Sequence, residues 1–300
     1  MNYELVIIGA GPAGITAGIY AARKNMDFVI LTKDIGGQTL YSWDIENYLG
    51  YQFITGFELV EKFKEHIKNF NVDIRENEPV KDILKDGNGF MLITDKGAYE
   101  TKSVIISTGR RPKELNVKGE KEFKNKGITY CATCDGPVFR DKNVAVIGGG
   151  NSGMDAVLQL SRIAKKTYLV EIKNDLTGDR FVIDKIKNLP MVEVLTGAEV
   201  IEIYGDLFVK GMRLRYKRNF IDINVEGIFV EIGSIPNSDI INFVEKNRYG
   251  EIIVDCKNHT GYSGIFAAGD VTNVFAKQII VACGEGAKAC LSAFEYVSRL

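Results

Sequence analysis

"VIIGAGPAG", residues 6–14, and "VAVIGGGNSG", residues 144–153, are one device written twice. Gly9, Gly11 and Gly14 follow the apolar run Leu5 to Ile8; Gly148, Gly150 and Gly153 follow Val144 to Ile147, at a constant offset of 139. Each triplet stands between a buried-type strand and a helical apolar pattern, the setting that binds a dinucleotide. The first glycine makes the tight turn, the second lets the backbone approach a pyrophosphate, and the third lets helix and strand pack closely. The phosphates then meet the positive end of the helix. A lone GxGxxG is weak, since glycines also serve plain packing, but two in matched settings are not. They predict an α/β chain of two Rossmann-like, three-layer dinucleotide-binding domains.

The bulk properties agree. At 300 residues, 45% hydrophobic and 26% charged, the chain suits two ordinary globular domains. A net charge of −1 gives no reason to expect nucleic acid or an anionic membrane as partner. Residues 5–22 form an uncharged run long enough to imitate a membrane span, but four glycines and Pro12 interrupt it, so no spanning helix is expected. Five cysteines without secreted-type spacing indicate a reducing compartment, the cytoplasm.

Between the glycine motifs, 56–70 predicts an amphipathic helix and 79–107 a small antiparallel meander ending in the buried strand "SVIISTG". After the second motif come a strand at 167–171, a helix near 179–188 and a second meander around 191–231. "GIFAAGDVTN", 264–273, reads as a buried strand running into Gly-Asp, before a closing helix from about 276 to 297. If "IISTG" and "IFAAGD" both return to the first motif, the second domain is inserted in the first. The domains are then 1–114 with 238–300, and 115–237, with linkers near 112–116 and 233–239 where "RRPKELN" and "GSIPNSD" signal exposed connections.

"YCATCDG", residues 130–136, carries the chemistry. A zinc site needs four ligands, and Cys256, Cys283, Cys290, His66 and His259 are not paired at short spacing, so no metal is expected. Thr129, Thr133 and Asp135 make the segment polar, against two inert buried thiols. The reading is a redox disulfide, in which Cys131 and Cys134 lie close enough to resolve a mixed disulfide. Asp135 is either the acid that moves the proton or a turn cap. Two nucleotide turns and one dithiol imply a relay with a flavin as adapter between hydride and thiol chemistry.

The combination resembles the low-molecular-weight thioredoxin reductase family over nearly the whole chain. The matching motifs are "GAGPAG" at 9–14, "GGQ" at 36–38, "ENYLG" at 46–50, "STG" at 107–109, "CATCDG" at 131–136, "GGGNS" at 148–152, "AAGD" at 267–270 and "KQ" at 277–278. The resemblance implies FAD along Gly9, Gly11, Pro12, Ala13 and Gly14, with Gly37, Gln38, Asn47, Val80, Thr108, Gly109, Gly269, Asp270, Lys277 and Gln278. It implies a nicotinamide nucleotide at Gly148, Gly150, Asn151, Ser152 and Gly153. It makes Cys134 the thiol facing the flavin, Cys131 the one that attacks the partner's disulfide, and Asp135 the general acid. It further implies a homodimer, an inserted domain that swings between flavin and client, and a thioredoxin or glutaredoxin-like protein substrate. The chain starts without a thioredoxin-like extension before Asn2 and stops at Leu300 without a redox tail, which predicts the small type rather than a two-domain peroxiredoxin reductase.

The chain departs from that pattern after the second strand of the inserted domain, where NADPH-using relatives carry a basic HRR-type cluster for the 2′-phosphate. Here "EIKND", Glu171 to Asp175, stands instead. Glu171, 23 residues after Gly148, is placed to accept bonds from a free ribose hydroxyl and to repel a phosphate. At about 4 Å a like-charge pair costs roughly 1 kcal/mol in water and 4 near a protein surface, enough for tenfold to several-hundredfold discrimination. NADH is therefore the favoured donor, ahead of a ferredoxin-type or other non-nicotinamide donor, with NADPH third. In the first domain Thr32 stands where Glu171 does, leaving the FAD ribose contact open, and Lys277 replaces the family's arginine. Two other readings compete: direct electron transfer from the flavin, as in a ferredoxin–NAD(P) reductase or NADH oxidase, for which "CATCD" has no use, and an FAD-dependent redox-sensing binding module.

Overall fold

A computed structural model describes residues 2–42, 45–87 and 89–300, the side chains of Asn2, Tyr41 and Thr133 excepted. The chain divides into two compact units. One gathers residues to Tyr41, Asn47–Arg111 and Ile235–Leu300; the other gathers Ser42, Ile45 and Glu46 with Pro112–Ser234. The chain crosses between them at Arg111 to Pro112 and at Ser234 to Ile235, and the short strands Arg110–Pro112 and Ser234–Pro236 pair there.

In the first unit the strand Asn2–Ala10 lies parallel between Phe28–Ile35 and Ala98–Ile106. Successive side chains of a strand point to opposite faces, and both faces here are apolar. Leu5 and Ile7 pack toward the helices Pro12–Arg23 and Ile279–Val297, among Ala17, Ala21, Ala289 and Ala293. Val6 and Ile8 pack on the other face with Phe90, Leu92, Ile241 and Ile252. The hairpin Asp82–Asp86 and Gly89–Ile93 joins the first half of Ala98–Ile106 antiparallel, while Ile265–Ala267 joins its second half in parallel. Ile8 pairs with Ile106, and Ile106 with Ala267, so Gly9, Ser107 and Ala268 lie together at one edge of the sheet. That carboxyl edge is where open α/β sheets bind ligands.

The second unit repeats the plan. Its parallel sheet runs Val192–Thr196, Lys166–Glu171, Asn143–Ile147, Gly227–Val230 and Ile128–Thr129. Val144, Val146, Leu169 and Phe229 pack under the helices Asn151–Leu160 and Arg180–Lys187. Ala145, Ile147, Val170, Ile228 and Val230 face the antiparallel meander Ala198–Gly205, Val209–Tyr216 and Asn219–Asn224. The central sheet is thus covered on both faces, the layering the glycine motifs predicted. Burying a side chain such as Leu169 or Phe229 contributes about 1.5–3 kcal/mol.

The amphipathic helix spans Gly56–Lys68 and opens on a capping box in which Thr55 and Glu58 satisfy each other's amides. The closing helix starts at Ile279, later than the sequence suggests, because Gln278 is extended at φ −135 and ψ 150. The stretch 191–231 is not a single meander. Val192–Thr196 and Gly227–Val230 join the parallel sheet, and only the run between them folds on itself. Residues 5–22 form strand, turn and helix, and no helix among the described residues is long and apolar enough to cross a membrane.

Candidate functional site: two glycine turns and a dithiol

Gly9 has φ +99, and a Cβ on it would lie 2.5 Å from Ser107 O; one on Gly14 would lie 1.8 Å from Gly9 O. Around Gly11, by contrast, no described atom comes within 4 Å of a Cβ. The second turn has the same three-part geometry. Gly148 has φ +122 and would press on Glu231 O at 2.4 Å, Gly153 on Gly148 O at 1.8 Å, and Gly150 meets only Thr177 Oγ1 at 3.9 Å. In both turns the first and third glycines are fixed by backbone contact and the second opens onto a cradle that a side chain would fill. The helices beyond, Pro12–Arg23 and Asn151–Leu160, show no side-chain cap and no acid in the first turn among the described residues. Their first amides are thus available to an anion.

Around the first turn, Gly37 has φ +54, and its would-be Cβ stands 3.7 Å from Gly11 Cα. Gln38, beside it, is exposed. A Cβ on Gly269, at φ +74, would lie 3.1 Å from Ala13 Cβ. Asn47 Nδ2 donates to Gln278 Oε1 at 3.1 Å, joining two of the expected cofactor residues. Thr108 and Gly109 are clamped by Asn237: Thr108 Oγ1 donates to Asn237 O, Asn237 Nδ2 to Thr108 O at 2.8 Å, and Asn237 N to Gly109 O at 3.0 Å. Val80 lies in the core, with its side chain packed among the buried apolar residues. Burial raises the Asp270 pKa and Glu251 adds to this, against the opposing charges of Lys277 and Arg110. Lys277 is pulled down by burial while Glu251 supports its charge at 3.2 Å, and Arg110 bonds the same carboxylate.

The two turns share one further hydrogen bond. Ala10 N donates to Thr32 Oγ1 at 3.1 Å, and at the same offset of 139 Gly149 N donates to Glu171 Oε2 at 2.5 Å. Glu171 Oε1 also accepts from Lys173 N at 2.8 Å, and the side chain is almost fully buried. Each such amide bond to a carboxylate contributes about 1.5–3 kcal/mol. A carboxylate offers about four acceptor directions, and these two bonds occupy two of them. The loop that follows folds back on the turn, with Thr177 N donating to Gly149 O at 2.8 Å and Asp179 N to Asn151 Oδ1 at 2.8 Å.

Cys131 and Cys134 form a disulfide at the start of the short helix Ala132–Asp135. The turn is held on all sides: Cys131 N donates to Thr129 Oγ1 at 3.3 Å, Gln159 Nε2 to Ala132 O at 3.1 Å, and Ala132 N to Glu231 Oε1 at 3.3 Å. Asp135 is buried and accepts from the Thr129 hydroxyl. The remaining cysteines lie elsewhere. Cys256 is exposed, Cys283 and Cys290 sit on the closing helix, and burial pushes the Cys290 thiol up to about 12. Among the described residues no group of His, Cys, Asp or Glu is placed to hold a metal ion.

Sequence reasoning alone misses Asn237, Glu251 and Glu231. Only Asn237 has a local signal, in the "PNSD" turn that reads as a linker.

The profile of the pyridine nucleotide-disulphide oxidoreductases matches residues 3–286. The chain is 41% identical over 305 aligned positions to a component of the alkyl hydroperoxide reductase of Escherichia coli, and 39% identical over 300 to a "NADH dehydrogenase" of Ferdinandcohnia aciditolerans. Each alignment covers 99% of this chain and 58% of the relative, so the chain spans little more than half the length of those proteins. Among solved structures, thioredoxin reductase from Streptococcus pyogenes aligns with TM-score 0.92 and 34% identity, over 100% of this chain and 99% of that one. A ferredoxin-flavin thioredoxin reductase from Clostridium acetobutylicum aligns with TM-score 0.56 and 31% identity, over 100% and 99%.

Proposed function

The chain belongs to the pyridine nucleotide-disulphide oxidoreductase family, and on that premise we propose that it is a thioredoxin reductase-like flavoenzyme. It passes two electrons from a donor, NADH in first place, through FAD and the Cys131–Cys134 disulfide to thioredoxin or a related small dithiol protein. The observation that carries this reading is the disulfide itself, held at Ala132 by Glu231 and Gln159 and backed by the buried carboxyl of Asp135. Residues 1–114 with 238–300 then form the FAD half, and 115–237 the nicotinamide-type half that carries the dithiol. The working assembly is a cytoplasmic homodimer.

The residues of the first turn fit FAD, since Gly11 opens onto a cradle at an uncapped helix start. The Pro12–Arg23 amides would hold its pyrophosphate, and Asp270 would accept bonds from its hydroxyl groups. When bound, FAD supplies the exchange between a hydride donor and a disulfide that nicotinamide and thiols do not perform directly. The rest falls to the chain. In the reduced pair the Cys131 thiolate attacks one sulfur of the client disulfide, forming a mixed disulfide and releasing one client thiolate. Cys134 then attacks the Cys131 sulfur and releases the second, restoring the Cys131–Cys134 bond. The client gains two electrons and two protons: the pair gives up both electrons and the Cys134 proton, and the second proton is the one Cys131 shed on ionising. Asp135, steadied by Thr129, holds a proton for a departing thiolate.

Glu171 supports NADH, because its carboxylate would stand where NADPH carries a phosphate. A second reading, a ferredoxin-type donor, draws on the loop folded over the second turn and on the likeness to the Clostridium acetobutylicum enzyme. Turnover of a protein disulfide with NADH, NADPH or reduced ferredoxin, compared with Cys134→Ser, tests the proposal. Loss of turnover in the variant is expected; undiminished turnover would remove the dithiol from the reaction.

A further inference from the structure

The sheet order of the second unit puts one strand between its two functional segments. Gly227–Val230 pairs with Asn143–Ile147 on one side and with Ile128–Thr129 on the other. Glu231, the next residue, therefore emerges between the Gly148 turn and the Cys131 segment. Both its carboxylate oxygens are engaged. Oε2 accepts from the hydroxyl of Ser152, in the first turn of the dinucleotide helix, and Oε1 accepts at 3.3 Å from Ala132 N, the amide next to Cys131.

Burial raises the pKa of Glu231, the Ser152 and Ala132 bonds oppose that rise, and Asp155 on the same helix as Ser152 adds repulsion. On the flanking segments, Asp135 and the dithiol lie on the Ala132 side, and the Lys113 ammonium is 3.8 Å from a would-be Cβ on Gly233, two residues beyond Glu231. A neutral amide could still bridge the two, its oxygen accepting from Ala132 N and its N–H donating to the Ser152 hydroxyl oxygen. What the carboxylate adds is charge, and it adds it beside the redox turn.

We propose that Glu231 is a positioning residue for the dithiol, whose negative charge keeps the Cys131 thiol protonated to higher pH and makes the reduced pair a stronger reductant. The inference rests on the reading of Cys131–Cys134 as the exchange pair. Its physical basis is that a like charge disfavours a thiolate, and that a couple whose reduced form is less stabilised gives up its electrons more readily. No new reactant is required: the couple remains disulfide plus two electrons and two protons going to dithiol.

The test is the rate at which iodoacetamide alkylates Cys131 in the dithiothreitol-reduced holoprotein, followed by peptide mass spectrometry across the pH range in which thiols titrate. Glu231→Gln, which keeps an acceptor and removes the charge, is expected to lower the inflection by about one pH unit, with about tenfold faster alkylation on the acid limb and an unchanged alkaline plateau. Ser152→Ala withdraws a donor that stabilises the ionised carboxylate, and is expected to move the inflection the same way by less. It decides the matter if the first variant does not retain flavin. Profiles superimposable on wild type would overturn the proposal. The assay needs neither electron donor nor client, so failure of the functional reading would show in the Cys134→Ser turnover assay and not here.

Discussion

Replacing Glu171 by Gln separates the charge of this side chain from its shape. The carboxylate accepts from Gly149 N at 2.5 Å and Lys173 N at 2.8 Å. Glutamine keeps one of these bonds and turns an amide N–H toward the other donor, costing about 1–3 kcal/mol of stability. The same change removes the repulsion toward a 2′-phosphate, which carries roughly 1.5–2 charges at neutral pH. At about 4 Å each charge is repelled by roughly 1 kcal/mol in water and about 4 kcal/mol at the effective dielectric of a protein surface. The wild-type preference for NADH over NADPH is therefore expected at about ten- to thirtyfold from the water value alone, and larger as the effective dielectric falls, with Lys173 lowering it. Glu171→Gln should collapse most of that preference, chiefly by raising kcat/KM for NADPH. Anaerobic stopped-flow bleaching of the flavin by each nucleotide measures the ratio without a client protein. A ratio unchanged by the substitution would refute the assignment of Glu171 to donor selection.

Gly11→Ala and Gly14→Ala should part company: the first leaves a folded chain with reduced flavin content, because its Cβ meets no described atom, and the second loses several kcal/mol, because its Cβ would stand 1.8 Å from Gly9 O. Flavin absorbance and thermal unfolding of the apoprotein distinguish them. Burial works to raise the Glu251 pKa, but bonds from Asn247, Lys277 and Arg110 outweigh it and hold the group below the ordinary glutamate range. Its contribution is present above that range and lost as pH falls through the folded value, so Glu251→Ala should cost about 3 kcal/mol at neutral pH and show a flatter acid limb in unfolding titrations. In the oxidised native protein Cys256 should react with iodoacetamide, whereas Cys290, buried and pushed up to about 12, should stay unmodified until unfolding.

The features legible in the sequence are those written locally. A glycine triplet between an apolar run and a helical period specifies a turn within a dozen residues, and CxxC places two sulfurs within reach of each other. Glu231 and Glu251 carry no such mark. Their roles arise from strand register and ion pairing across long stretches of chain, Glu231 touching residues 79 and 99 positions away and Glu251 a residue 141 away. Alternating patterns are equally ambiguous at 192–196 and 198–205, where one strand enters a parallel sheet and the next a meander. The deciding factor there is which face finds a partner.

The relay is tested most directly by counting electrons. Anaerobic titration of the holoprotein with NADH, or with reduced ferredoxin if NADH fails, should take up two reducing equivalents beyond those that bleach the flavin, and release Cys131 and Cys134 as alkylatable thiols. A chain whose flavin bleaches while that disulfide stays intact and the extra equivalents are missing would contradict the account.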